Sequence, residues 1–151
     1  MKNILVKYFD GATKIGKISK GDWIDLYARE TVIIPQGQSA RVKLGVAMKL
    51  PEGYEAHLAA RSSTFSKWGC ILTNAMGIID NSYSGDNDEW MAQMYCLEKK
   101  GTINGIDATI INKGDKICQF RIMENQPELE IVEVEKLDGP DRGGFGSTGS
   151  R

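Results

Sequence analysis

Apolar and polar positions along this chain alternate in short runs, and turn residues break the runs apart. A period near two over four to eight residues is the signature of a half-buried strand. "ILVKYF" (4–9) stops at Asp10-Gly11. "IDLYA" (24–28) and "TVIIP" (31–35) follow. "ARVKLGVAMKLPEG" reaches a Pro-Glu-Gly turn at 51–53, and "YEAHLAA" (54–60) alternates. "WMAQMYCL" (90–97), "ATIIN" (108–112), "KICQFRIM" (116–123) and "LEIVEV" (129–134) complete the set. Many short strands without a βαβ rhythm predict an all-β sandwich, jelly roll or barrel.

Two stretches depart from this pattern. "RSSTFSKWG" (61–69) predicts one short helix, with Ser62 or Ser63 as its cap and Gly69 as its close. It reads equally as a capped connector or as an anion site. "LDGPDRGGFGSTGSR" (137–151) is rich in glycine and serine and cannot build a core. The expectation is a domain over 1–136 and a flexible C-terminal arm over 137–151.

Composition adds limits. A chain of 151 residues with 41% hydrophobic and 26% charged residues suits one globular domain. Its net charge of −1 supplies no global basic field, so no nucleic-acid partner is expected. No run is apolar enough to span a membrane and no leader pattern opens the chain, so a cytoplasmic protein is expected. Cys70, Cys96 and Cys118 sit far apart in apolar stretches and read as buried inert thiols rather than a zinc site. His57, the only histidine, reads as a strand residue without a chemical role.

Four places could carry chemistry. In "MGIIDNSYSGD" (76–86), "GIID" reads as a short buried strand and "NSYSG" as a hairpin turn. Asp80 would then be partly desolvated, with its pKa nudged upward as suits a general base; otherwise it caps the turn and Tyr83 packs on it. Gln119 lies amid apolar neighbours and needs a backbone or ligand partner. Asp25, between Ile24 and Leu26, points to solvent or faces a cation. In the tail, "GFGSTG" (144–149) matches G-x-G-x-x-G, but no helix follows it within the chain. The match is accidental as a dinucleotide fingerprint, yet its physics is reusable. Glycines such as Gly146 can offer backbone N–H groups to phosphate, Arg142 can grip a terminal phosphate, and Phe145 can lie over a nucleobase.

Five stretches in this order, "IDLYA", "ARSST", "MGIIDNSYSG", "KGDKICQF" and "RGGFGSTG", resemble the five motifs of the homotrimeric dUTP pyrophosphatases. They run from Asp25 to Gly149, and the wording "GDWIDL" and "GDNDEW" is similar to versions from Gram-positive bacteria and their phages. The resemblance implies a jelly-roll (distorted β-barrel) homotrimer that hydrolyses dUTP to dUMP and pyrophosphate with Mg²⁺. Such an enzyme keeps uracil out of DNA and supplies dUMP for thymidylate synthesis. By the same resemblance, Asp80 activates the water that attacks the α-phosphorus. Asp25 holds the waters of the metal, Ser62 contacts the α–β bridging oxygen, Arg61 orients its motif, and Ser63 helps hold the phosphates. Gln119 holds a phosphate or a water; Arg142, Ser147 and Thr148 bind the outer phosphates. Asn74 and the backbone to Gly77 read uracil in a tight hairpin pocket, and Tyr83 underlies the deoxyribose. Sites would be shared between subunits.

Three acids in "GDNDEW", Asp86, Asp88 and Glu89, are additions to the family pattern, expected on the surface or as water ligands near the metal. "FSKWG" also departs from the pattern and is expected to alter helix packing rather than chemistry. A dCTP deaminase of the same fold would need a glutamate on the strand after the third motif, where Gln93 and Met94 stand and Glu98 comes too late. A nucleotide-sensing regulatory protein could use the same pocket as a switch.

Overall fold

The computed structural model describes residues 1–151. It holds twelve strands and one helix: β1 (Leu5–Tyr8), β2 (Ile24–Tyr27), β3 (Val32–Pro35), β4 (Ser39–Lys43), β5 (Val46–Lys49), β6 (Tyr54–Ala60), α1 (Thr64–Trp68), β7 (Cys70–Leu72), β8 (Gly77–Ile79), β9 (Met91–Cys96), β10 (Gly101–Ile103), β11 (Ile106–Ile111) and β12 (Lys116–Glu124). Every pairing is antiparallel. The strands form four small sheets, ordered β1-β5, β10-β11-β3, β2-β12-β6-β8 and β4-β9-β7. All four contribute to one core of 20 buried residues, in which Trp90 meets Phe120 edge-on at 5.1 Å. This is the expected jelly-roll architecture, with its sheets wrapped about one core and not closed into a continuous barrel.

The long apolar run at 40–50 is two strands, not one. Gly45 lies between them at φ +75°, where a Cβ would stand 2.5 Å from the Ala12 Cβ. The chain turns there, so β4 joins β9 while β5 joins β1.

The strand expected over 129–134 does not form. Regular structure ends at Glu124, and Leu129, Ile131, Val132 and Val134 are exposed, Ile131 at 97%. Alternation alone cannot make a strand; its N–H and C=O groups need a partner ladder, and this chain offers none there.

The short helix is present, closed by Gly69 in the left-handed region (φ 64°). Ser63 occupies the cap position but makes no side-chain capping bond, because its backbone is already helical (φ −97°, ψ −3°). Thr64 ties the segment down instead. Its Oγ1 accepts from the Arg61 N–H (2.8 Å) and donates to the Ile117 carbonyl (3.0 Å).

All three cysteines are buried free thiols, as read from the sequence. Burial pushes the Cys70 thiol up to about 12, which leaves it unreactive. His57 lies in β6 with its Nε2 2.6 Å from Glu55 Oε2. No helix is long and apolar enough to cross a membrane.

Candidate functional site

One cleft has a volume of about 420 Å³. Asn74, Gly77, Asp80 and Tyr83 line it together. Strand β8 builds its floor. It is the edge strand of its sheet and pairs only with β6, placing Gly77 opposite Leu58. A Cβ at Gly77 would stand 3.3 Å from the Leu58 Cβ and 3.8 Å from Asn74 Nδ2, so the missing side chain is cleft space.

Two local expectations need correction. "GIID" is not a buried strand: Ile78 is 66% exposed, because an edge strand at a cleft mouth has one uncovered face. Nor is the cleft a hairpin. Strands β7 and β9 lie in one sheet and β8 in another, so residues 73–76 and 80–90 are corners between sheets.

The third correction concerns Asp80. Its carboxylate is exposed, and its pKa is lowered rather than raised. The main cause is the Ser82 hydroxyl, which donates to Asp80 Oδ1; the Ser82 N–H donates to the same oxygen at 2.8 Å. Hydrogen bonds to the charged form outweigh any desolvation at such an open place. The turn itself is as read, with the Tyr83 N–H donating to the Asp80 carbonyl (3.2 Å).

A second cluster lies at one end of the sheet β2-β12-β6. Asp25 and Gln119 are register partners, and Arg61 follows the last residue of β6. The Asp25 side chain, 11% exposed, faces cations: Arg61 Nε at 2.9 Å from Oδ1 and Lys116 Nζ at 3.7 Å from Oδ2. Gln119 finds a backbone partner, donating from Nε2 to the Ala60 carbonyl (3.1 Å). A bulge between Lys116 and Cys118 turns β12 here, and Arg61 also donates to the Lys116 carbonyl (3.3 Å). Ser62 is exposed and Ser63 half-buried beside this cluster.

The arm residues Arg142, Phe145, Gly146, Ser147 and Thr148 join neither cluster. Their segment is exposed, and its backbone bonds are local turns, Ser147 to Gly144 (3.1 Å) and Gly149 to Gly146 (2.9 Å).

Arg41, Glu89, Trp90 and Gln93 also line the cleft, a place the sequence reading did not give them. Arg41 and Gln93 are cross-strand partners, which only the β4–β9 register reveals. Glu89 was expected on the surface or near a metal and is instead 6% exposed, paired with Arg29. An acid set directly before an apolar strand was the available signal. Asp86 bonds Lys7 (2.8 Å), and Asp88 Oδ2 accepts from the Gly85 N–H (2.8 Å). The three acids therefore brace a loop, and two of them do so at the surface.

Comparison with known proteins bears on all of this. The dUTPase family model matches residues 22–149. The chain is 51% identical over 149 residues to the SPbeta prophage-derived deoxyuridine 5'-triphosphate nucleotidohydrolase YosS of Bacillus subtilis, covering 98% of this chain and 99% of that one. It is 35% identical to the deoxyuridine 5'-triphosphate nucleotidohydrolase of Anaplasma marginale, over 87% of this chain and 84% of the other. Among solved structures, the G164S mutant of a Staphylococcus bacteriophage 80alpha dUTPase with dUpNHpp shares the fold at TM-score 0.79 and 23% identity, with 99% of both chains covered. A mutant dUTPase from phage phi11 of S. aureus, known with a structural Mg(II) ion, matches at TM-score 0.73 and 25% identity, covering 89% of this chain and 99% of that one. The five motifs, the cleft and these matches agree: the chain belongs to the dUTPase family, in the form found in Gram-positive bacteria and their phages.

Proposed function

We infer that this protein hydrolyses dUTP to dUMP and pyrophosphate. The observation that carries the reading is the exposed Asp80 carboxylate at the rim of a cleft it shares with Tyr83, Asn74 and Gly77. Asp80 is the general base. Its lowered pKa keeps it ionised at neutral pH and makes it a weaker base, so its contribution comes from placement. It takes a proton from a water as the water oxygen bonds to the α-phosphorus. The bond from that phosphorus to the α–β bridging oxygen breaks, and pyrophosphate leaves. Ser62 donates a hydrogen bond to the bridging oxygen, where charge develops. Arg61, held on Asp25, orients this segment; Ser63 and Gln119 hold phosphate oxygens or water.

The residues fit Mg²⁺ arriving with the triphosphate. No group of three or more His, Cys, Asp or Glu side chains forms a cage, and Asp25 is the acid of the phosphate cluster. Phosphate oxygens and water would hold most of the ion, with Asp25 accepting from its waters. When bound, the ion offsets part of the roughly four negative charges of the triphosphate.

Specificity lies in the cleft. Asn74 and the backbone to Gly77 read the uracil edge and leave no room for a 5-methyl group. Tyr83 lies under the deoxyribose and rejects a 2′-hydroxyl. The complete site is shared in a homotrimer, a reading that family membership supports. The cleft comes from one subunit, the Ser62–Gln119 cluster from a second, and the arm over 137–151 from a third. In that arm Arg142, Ser147 and Thr148 bind the outer phosphates, while Phe145 and Gly146 close over the nucleotide. Free thiols in register at Cys70 and Cys96 support a cytoplasmic location.

The test is release of pyrophosphate and ammonia from dUTP, dCTP, dTTP and UTP, each with Mg²⁺ and with EDTA. Pyrophosphate from dUTP alone, lost with EDTA, is the expected result. Ammonia from dCTP would indicate deamination, and silence on every substrate would indicate a binding protein.

A further inference from the structure

The loop between the cleft and β9 is tied to the body by ionic bonds that the hydrolytic mechanism does not use. Glu89 accepts from Arg29 twice, at Oε2 from Nε (2.7 Å) and at Oε1 from NH2 (3.0 Å). Its Oε2 also accepts from the Gly45 N–H (2.9 Å), at the corner between β4 and β5. Its neighbour Trp90 is fixed on both sides: the Trp90 N–H donates to Val46 (2.8 Å), and the Trp90 carbonyl accepts from Leu44 (3.0 Å). Glu89 is therefore held through its own carboxylate and through the backbone of its neighbour. Onto its carbonyl oxygen the Tyr83 hydroxyl donates, at 3.0 Å.

Tyr83 needs such a tether. Its side chain belongs to a residue 41% exposed, on a loop that no strand pairing supports. A ring free to swing would yield to an added hydroxyl; a ring pinned at its far end would not. Steric rejection depends on stiffness, because a soft pocket rejects an extra hydroxyl weakly.

We propose that the Arg29–Glu89 pair is a positioning device that fixes the Tyr83 ring through the Glu89 carbonyl and thereby sets discrimination between deoxyribose and ribose. The inference rests on the dUTPase reading of the cleft. Arg29 and Glu89 act through Tyr83, since the Glu89 carboxylate is committed to Arg29 and the Gly45 N–H. The pair suits this work: a buried carboxylate with a bidentate guanidinium is stiff, and its hydrogen bonds to Glu89 raise the Arg29 pKa further.

The experiment compares kcat/KM for dUTP and UTP in the wild type, Glu89→Gln, Arg29→Lys and Tyr83→Phe. Glu89→Gln keeps the shape but loses the charge, and Tyr83→Phe removes only the tethering hydroxyl. Each is expected to lower the preference for dUTP by roughly tenfold, the scale of one lost hydrogen bond. Loss of folded enzyme would lower both substrates equally and leave the ratio unmoved. The proposal is overturned if either folded Glu89→Gln or folded Tyr83→Phe keeps the wild-type ratio. If Glu89→Gln does not fold, Arg29→Lys takes its place, and an unchanged ratio there overturns the proposal. A wild type that hydrolyses dUTP and UTP equally overturns this proposal together with the sugar reading, whereas an unchanged ratio in the variants overturns this proposal only.

Discussion

The cleft and the Asp25–Arg61 cluster solve the problem of charge in opposite ways. In the cleft, Asp80 carries its charge in the open, bonded only by its own turn. In the cluster, Asp25 is 11% exposed and already matched by Arg61 and Lys116. One carboxylate is available to react; the other is committed to holding an arginine. The same residue type is thus left open or locked in place according to what surrounds it. A base must exchange protons with water, whereas a strut must not.

The contrast breaks first at Asp80. Asp80→Asn keeps the turn and loses the base, and pyrophosphate release should fall by ~10²–10⁴-fold, the range of general-base catalysis. Equilibrium binding of dUTP should survive; full activity would end the assignment. A second test asks whether the separated clusters belong to different chains. Asp80→Asn and a chain lacking residues 141–151, each impaired alone, should regain activity when unfolded and refolded together. No gain would place the whole site in one subunit.

Removing residues 141–151 by itself should lower kcat/KM by roughly tenfold or more through lost phosphate contacts. The melting temperature should hold, since the backbone bonds of the arm are local. Asp25→Asn should instead show up in stability. It leaves Arg61 without its anion, and a loss of roughly 2 kcal/mol is expected in urea unfolding, below the ~3–5 kcal/mol of a fully buried broken pair. The smallest effect is expected at Ser82→Ala. Ser82 lowers the Asp80 pKa, so its removal should let that pKa rise toward the ordinary carboxylate value. The base must be ionised, so the acid limb of the kcat/KM profile should move to higher pH. An unmoved limb would mean that another group titrates there.

Much of this was legible in the chain. Strand β6 matches the alternation over 54–60 residue for residue, and Gly69 closes the one helix. Local pattern reports these because side-chain period and backbone conformation are local properties. The order of the five motifs was equally legible, and with it the family. The chain misled where a partner had to be supplied from afar. "LEIVEV" had the period of a strand but no neighbour to bond, and Asp80 had apolar residues before it but no cover over it.

Glu89 shows the same limit from the other side. By letter it was a surface acid in an acidic loop; Arg29, 60 residues away, makes it a buried anchor. The amino-acid sequence by itself determined the strand pattern, the short helix, the free thiols and the motif residues, since each depends on neighbours along the chain. Only the tertiary structure decided which sheet each strand joined, which carboxylate stayed open, and which was locked. Burial and charge pairing are set by groups distant in sequence, and the pKa and stiffness of a side chain follow from those groups.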